Sequence, residues 1–141
     1  MGTNPDVDVS LTLEQIEDRP WGKPPAEATR LVKTVYELRH KAVGAMDTED
    51  LRVLLLQQES VEVLVPVALT HLEQNPLAEG DFYPGDLLVA VLKVPQAYWQ
   101  QHPDQRSRTS AVIGEVEALG KLDDHDAPHD TIWQQINAFR S

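Results

Sequence analysis

The sequence predicts an all-α fold, a single compact domain of about six to eight helices. Apolar residues recur at helical spacing along most of the 141 residues, and no alternation of apolar and polar residues lasts long enough to form a sheet. Hydrophobic residues make up 41% of the chain, which is enough to build a core at this length. We therefore expect residues 1–10 to form a flexible N-terminal arm and residues 11–141 to form the helical domain.

The first predicted helix is short and is followed by a stiff loop. Thr12, with Gln15 three residues later, forms a capping-box pattern that predicts a helix over residues 13–17. Residues 19–25 (RPWGKPP) contain three prolines and a glycine, so they form an extended loop. We expect Trp21 to anchor this loop by filling a gap in the core.

Two further helices are predicted before residue 60. Residues 26–40 carry apolar side chains at positions i, i+1, i+4 and i+7, which share one face of a helix. These side chains are Leu31, Val32, Val35 and Leu38. The next helix, capped by Asp47 or Thr48, has acidic residues in its first turn, where the helix dipole favours them. Its leucines cover more than one face, so we expect this helix to lie near the centre of the fold.

The segment that follows carries conflicting signals. Residues 60–65 (SVEVLV) alternate like a strand. Pro66, however, would interrupt a strand ladder and suits the first turn of a helix. We therefore predict a helix over residues 64–74, which Asn75 and Pro76 end.

Residues 77–99 are the most informative part of the chain. Their first ten residues, 77–86 (LAEGDFYPGD), predict a structured corner between two helices. Gly80 and Gly85 can adopt positive φ, and Pro84 restricts the backbone just before the second glycine. Acidic side chains beside aromatic ones are typical of a surface that binds a basic protein. The candidate partner-binding residues are Glu79, Asp81, Phe82, Tyr83 and Asp86.

The acids of this corner also have a structural interpretation. Asp81 and Asp86 are placed to cap the helix that follows, by accepting hydrogen bonds from its free N–H groups. Capping is the favoured role for Asp86. For Glu79 and Asp81, a structural role and partner contact are equally supported.

Further helices are predicted after the corner. Residues 86–94 present one apolar face and end at Pro95, which opens another short helix. A longer helix covers residues 103–119 and stops at Gly120. Residues 131–139 have apolar side chains at near-helical spacing, which predicts a final helix that docks on the core.

The chain resembles a known family in four segments: LTLEQIEDRPWGKPP (residues 11–25), EDLRVLLLQQ (49–58), LAEGDFYPGDLL (77–88) and VLKVPQAYW (91–99). Together, over residues 11–99, they resemble the immunity proteins of bacterial contact-dependent growth inhibition (CDI) systems. The resemblance implies a small helical cytoplasmic protein that binds and neutralises the toxin domain of its own system. It implies no catalytic residues.

The formal net charge of −11, from 23 acidic and 12 basic side chains, restricts the class of partner. We expect neither nucleic acid nor an anionic membrane as partner, since both attract positively charged proteins. A basic protein is favoured instead, approached under electrostatic steering that salt weakens.

Other features of the sequence favour the cytoplasm. The chain has no cysteine, which suits a reducing compartment. Its first ten residues lack the basic and apolar regions of a signal peptide. No apolar run approaches the roughly 18 residues that a membrane-spanning helix needs.

One cluster has the composition of a metal site. Residues 123–126 (DDHD) and His129 place two histidines four positions apart among carboxylates. Pro128 interrupts the turn that would align the histidines, so a solvated acidic linker over residues 121–128 is favoured. No nucleophile motif or phosphate-binding loop accompanies the cluster, so we expect no catalytic residue, no metal and no cofactor.

These observations favour a non-catalytic immunity protein that occludes the active-site cleft of a cognate toxin. The acidic charge suggests a basic toxin, and a nuclease fits that description. The main alternative is an acidic helical adaptor or regulatory subunit of a cytosolic assembly. A metal-dependent hydrolase that uses the cluster at residues 123–129 is a weaker third hypothesis.

Overall fold

A computed structural model describes residues 8–141, and in this part of the chain the fold is all-α, as predicted. The helices are α1 (Leu13–Glu17), α2 (Arg30–Leu38), α3 (Thr48–Leu56), α4 (Val61–Gln74), α5 (Asp86–Leu92), α6 (Gln96–Gln101), α7 (Pro103–Ala118) and α8 (His129–Arg140). Two 3₁₀ turns, Val43–Ala45 and Leu122–His125, complete the regular structure. The eight α-helices of the described residues agree with the predicted six to eight.

The described residues form two compact units, residues 8–47 and residues 48–141. Residues 1–7 of the predicted N-terminal arm lie outside the described residues. The rest of that arm is hydrogen-bonded within its own unit, since the carbonyl of Val9 accepts from the N–H of Gly44 at 2.8 Å.

Side-chain caps define the helices of the N-terminal unit. The hydroxyl of Thr12 accepts from the N–H of Gln15 at 3.2 Å, and the Gln15 side chain accepts from the N–H of Thr12 at 2.9 Å. This reciprocal capping box confirms the predicted start of α1. Thr29 caps α2, which is shorter than the predicted helix over residues 26–40 because a backbone turn follows Pro25.

Trp21 anchors the proline-rich loop, but it is half-buried and does not fill a gap in the core as predicted. Its ring packs edge-to-face on Tyr36, with ring centroids 4.8 Å apart, and its backbone N–H donates to the Glu14 carboxylate at 2.9 Å. The guanidinium of Arg39 lies 4.4 Å from the Trp21 ring centroid and is paired with Glu17 at 2.9 Å. A cation between an aromatic face and a carboxylate ties the loop to α1 and to the end of α2.

Only part of the apolar face of α2 is buried. Val35 and Leu38 lie in the interior, as predicted, but Leu31 and Val32 are exposed. Tyr36, near the C-terminal end of α2, packs on Trp21, and Arg39, directly after the helix, lies over the same ring. Both contacts hold the second half of the helix. The first turn of α2 therefore presents its apolar residues to solvent.

Helix α5 is the centre of the C-terminal unit, and all seven of its residues are buried. It packs against α3, α4 and α8. We expected α3 to lie near the centre, and it does pack against both α4 and α5. We expected α5 to bury one face only, and that expectation was wrong. A short helix that is apolar on all sides is stable only when neighbours cover every side of it, which is the position that α5 occupies.

Helix α4 begins at Val61, earlier than predicted, so Pro66 lies inside the helix. Ser60 adopts a left-handed conformation with φ of 52°, which separates α4 from the preceding loop. Its carbonyl accepts from the N–H of Leu64 at 2.9 Å and starts the helical hydrogen bonds. The proline removes one internal hydrogen bond, but burial of the apolar residues on both sides of it keeps the helix continuous.

Helix α8 closes the core of the C-terminal unit. It begins at His129, two residues before the predicted start. Phe139 packs edge-to-face on Trp99, with ring centroids 5.3 Å apart, and Trp99 is fully buried. Trp133 is only half-buried, although its spacing predicted that it would be part of the core. The buried side chains of α8 are Ile132, Ile136 and Phe139.

We predict that α8 is required for the stability of the C-terminal unit. Phe139→Ala should lower the free energy of unfolding by about 3–5 kcal/mol, because it removes an aromatic ring from a packed core. Removal of residues 121–141 should lower Tm further or give insoluble protein. Urea denaturation and thermal melting measure both effects.

Gln134→Ala is the matched control, since Gln134 is exposed on the same helix. Its free energy of unfolding should stay within about 0.5 kcal/mol of the parent. A truncated chain that melts like the parent would show that α8 is an appendage.

Candidate partner-binding site

The predicted corner joins α4 to α5, and its base is closed by backbone pairing. Glu79 and Pro84 form an isolated antiparallel bridge. The N–H of Gly85 donates to the carbonyl of Leu77 at 3.1 Å, and the N–H of Asp86 donates to the carbonyl of Tyr83 at 3.0 Å. The residues between these contacts form a tight loop at the start of α5. We call residues 79–83 the acidic corner.

Four consecutive backbone N–H groups of the acidic corner donate to two carboxylates. The Asp86 carboxylate accepts from Gly80 at 2.7 Å, from Phe82 at 3.0 Å and from Tyr83 at 3.4 Å. The Glu49 carboxylate, from α3, accepts from the N–H of Asp81 at 2.9 Å. The backbone conformation of the corner is therefore held from inside by two acidic side chains.

Arg52 lies between these two carboxylates and compensates their charge. Its guanidinium donates two hydrogen bonds to Glu49, at 2.7 and 2.6 Å, and its Nε lies 3.9 Å from the Asp86 carboxylate. Asp86 is only 3% exposed. A carboxylate at this depth is tolerated because three N–H groups and a guanidinium surround it. We call Glu49, Arg52 and Asp86 the charge cluster.

The environment of the charge cluster shifts the pKa values of Glu49 and Tyr83. The hydrogen bonds from Arg52 hold the pKa of the Glu49 carboxyl below its ordinary value of 4.5. Loss of solvent, together with the nearby Asp86 charge, raises the pKa of the Tyr83 hydroxyl above its ordinary value of 10.0. Both Glu49 and Tyr83 therefore stay in their usual neutral-pH form, one charged and the other neutral.

The two glycines of this region are required for different reasons. Gly85 has φ of 94°, as predicted, and a Cβ there would lie 2.6 Å from Cδ1 of Ile132. Gly80 does not adopt positive φ, so that prediction was wrong. A Cβ on Gly80 would instead lie 2.5 Å from Oε1 of Glu49. At Gly80 the absence of a side chain lets both carboxylates of the charge cluster approach the backbone.

Phe82 is the most exposed large apolar side chain among the described residues, at 66%. One face of its ring covers Arg52, with the guanidinium carbon 4.3 Å from the ring centroid. Arg52 itself is buried, enclosed by Phe82 on one side and by the two carboxylates on the others. The acidic corner therefore presents an aromatic ring to solvent at a fixed position.

The structure gives the predicted site residues two distinct placements. Glu79, Asp81 and Phe82 are exposed, and Tyr83 is half-buried. Asp86 is buried and does not cap α5, because its carboxylate binds the loop that precedes the helix and Gly85 occupies the N-cap position. The prediction that Asp86 and Asp81 cap α5 was therefore wrong. Asp86 binds N–H groups of the preceding loop instead of those of the helix.

Sequence reasoning missed Glu49 and Arg52. Their i, i+3 spacing on α3 is a signal for an ion pair, and the pair does form. The spacing does not indicate that the pair contacts a loop more than 25 positions away in the chain. Only the packing of α3 against α5 brings the pair to the acidic corner.

The acidic segment before α8 is not arranged around a metal. Residues 122–125 form a 3₁₀ turn, and the Nδ1 atom of His129 accepts a hydrogen bond from the N–H of Leu122 at 3.1 Å. Among residues 8–141, no three histidine, aspartate or glutamate side chains are grouped so that they could hold a metal ion. Within the same residues, no helix is long and apolar enough to cross a bilayer.

Comparison with known proteins identifies one family. A family model described as CDI immunity proteins matches residues 15–109, which is more than half of the chain. The match confirms the resemblance that the sequence carries over residues 11–99. The comparisons with curated proteins and with solved structures found no match.

We predict that Glu49 makes stability depend on pH below the ordinary pKa of glutamate. Because the pKa of Glu49 is lowered in the folded protein, its contribution is fully present above pH 4.5 and is lost as the pH falls through the lower, folded value. Glu49→Gln removes this titration. The variant should be less stable than the parent at pH 7 and should lose less Tm between about pH 5 and pH 3.

Glu115→Gln is the control, since Glu115 is exposed on α7. Its melting curves should follow those of the parent over the whole pH series. Parallel losses of Tm in the parent and in Glu49→Gln would contradict the role given to Glu49.

Proposed function

Since the chain belongs to the family of CDI immunity proteins, we propose that it neutralises its cognate toxin by occlusion. In this proposal the acidic corner docks on or beside the basic active-site cleft of the toxin and excludes the substrate. Glu79, Asp81, Phe82 and Tyr83 contact the toxin directly. Asp86 acts from the interior, by holding the backbone of these residues in place.

The observation that carries the proposal is an exposed acidic and aromatic loop whose backbone is already ordered. Binding usually requires flexible loops to be immobilised, which reduces affinity. Here the four N–H groups of the acidic corner are already hydrogen-bonded to the charge cluster. The corner can therefore bind without first losing conformational freedom.

The distribution of charge supports a basic partner for the C-terminal unit. Residues 48–141 contain 15 acidic and 6 basic side chains, whereas residues 1–47 contain 8 and 6. Most of the net charge of −11 therefore belongs to the unit that carries the acidic corner. Such a field steers a positively charged partner and raises its association rate at low salt. A nuclease toxin suits this field because a cleft that binds nucleic acid is basic.

The proposed mechanism is stoichiometric and needs no catalysis by the immunity protein. One bound molecule covers the cleft, so inhibition should be complete at a molar ratio near one. Inhibition lasts as long as the complex does. The association rate is then set by the surface charges and the lifetime by the buried contacts.

We predict that charge reversal in the acidic corner slows association. The Glu79→Lys/Asp81→Lys variant should bind the toxin with a lower association rate and a weaker dependence on salt, because two steering charges change sign. The partner to use is the purified protein encoded immediately upstream of this chain. Surface plasmon resonance over a series of salt concentrations measures both quantities.

Asp123→Lys/Asp124→Lys is a charge-matched control, since both residues are exposed and lie in the 3₁₀ turn before α8. It changes the net charge by the same amount at another place, so its effect on the association rate should be smaller. An equal or larger effect in the control would move the interface to the acidic segment at residues 123–130. Failure of the parent protein to bind any upstream product would contradict the proposed function itself.

A further inference from the structure

The C-terminal unit leaves two large apolar side chains exposed among its described residues. Phe82 is 66% exposed and Leu56 is 37% exposed. The other large apolar residues of this unit are buried or half-buried, and α5 is buried on every side. If these two exposed apolar residues lie near each other, one binding surface can account for the exposure of both.

Arg52 contacts Phe82 and shares a face of α3 with Leu56. The Phe82 ring lies over its guanidinium, 4.3 Å from the ring centroid to the carbon atom. Leu56 is four positions after Arg52, so it lies on the face of α3 that carries Arg52, one turn nearer the C-terminal end of the helix. The exposed acids Glu79 and Asp81 belong to the same loop as Phe82.

The position of the Phe82 ring is fixed before any partner binds. Its backbone N–H donates to the Asp86 carboxylate at 3.0 Å, and one ring face lies against Arg52. Arg52 is in turn held by two hydrogen bonds to Glu49. The ring face that points away from Arg52 is left in solvent. An ordered aromatic side chain surrounded by charges has the composition of an interface hot spot.

A purely structural role explains this arrangement less well. A side chain whose task is to shield a buried guanidinium would lose most of its own surface to its neighbours. Phe82 instead keeps about two thirds of its surface exposed. The exposed ring also lies in the unit with the larger acidic excess. A polar or charged side chain would suit the solvent at that position better than a phenyl ring does.

We propose that Phe82 is the anchor of the partner interface and inserts into an apolar pocket rimmed by lysine or arginine side chains. Leu56 extends the contact along α3, and Glu79 and Asp81 meet the basic rim. Glu49, Arg52 and Asp86 are positioning residues, which act by holding the ring. This proposal rests on the proposed function, and it adds the residue that determines the lifetime of the complex and the chemistry of the surface that receives it.

The test separates the lifetime of the complex from its rate of formation. Phe82→Ala should raise the dissociation rate from the upstream toxin protein by about thirtyfold, as expected for an anchor residue. The association rate and its salt dependence should stay within about twofold of the parent, because no charge is changed. Leu56→Ala should raise the dissociation rate by a smaller factor. Stopped-flow or surface plasmon resonance measurements resolve both rates.

Leu31→Ala is the matched control, since Leu31 is an exposed apolar residue of the other unit, at 44%. Its dissociation rate should equal that of the parent. A complex that forms normally but dissociates at the same rate with Phe82→Ala would overturn the anchor role while leaving the proposed function intact. Absence of any complex with the parent protein would overturn both.

A double-mutant cycle tests the positioning role of Arg52. Arg52→Met should also raise the dissociation rate, because it removes the surface on which the ring rests. Combined with Phe82→Ala, its effect should largely disappear, since there is then no ring to position. Thermal melting of each variant shows whether it is folded at the measuring temperature. Additive effects on the dissociation rate would show that Arg52 acts independently of the Phe82 ring and would overturn the positioning role.

Discussion

The organisation of the C-terminal unit around the acidic corner depends on one buried carboxylate. Asp86 is almost completely removed from water, and an isolated charge at that depth would strongly destabilise the fold. Three backbone N–H groups and the guanidinium of Arg52 supply the compensation. These same contacts define the shape of the acidic corner. Burial of the charge and presentation of the loop are therefore a single structural requirement.

Acidic residues that the fold brings together at the corner have different physical tasks in this protein. Glu49 and Asp86 face inward and order the backbone of the corner. Glu79 and Asp81 face solvent, where they contribute to the field of a unit with 15 acidic side chains. Inward charges act over hydrogen-bond distances and resist screening by salt, whereas exposed charges act over longer distances and are screened. In the proposed complex, the first pair sets the geometry of binding and the second sets its rate.

Local features of the sequence were sufficient to identify most helices. The capping box at Thr12 and Gln15, the glycine at 120 and the proline at 103 each act on neighbouring residues, so their consequences follow from the chain itself. The extents of α2 and α4 were less predictable. In α4 the burial of apolar side chains outweighs the local cost of Pro66. Such a balance between tertiary packing and local propensity is not encoded in a short window of sequence.

By itself, the sequence determined the all-α class, the acidic charge, the family resemblance and the corner at residues 77–86. These depend on periodicity, composition and turn residues, which are local properties. Only the tertiary structure decided that α5 is the buried centre, that Asp86 is an interior ligand of the loop, and that α3 supplies Glu49 and Arg52 to the corner. The reason is physical: each of these facts depends on which helices pack together. That packing minimises exposed apolar surface and uncompensated charge over the whole unit rather than over neighbouring residues.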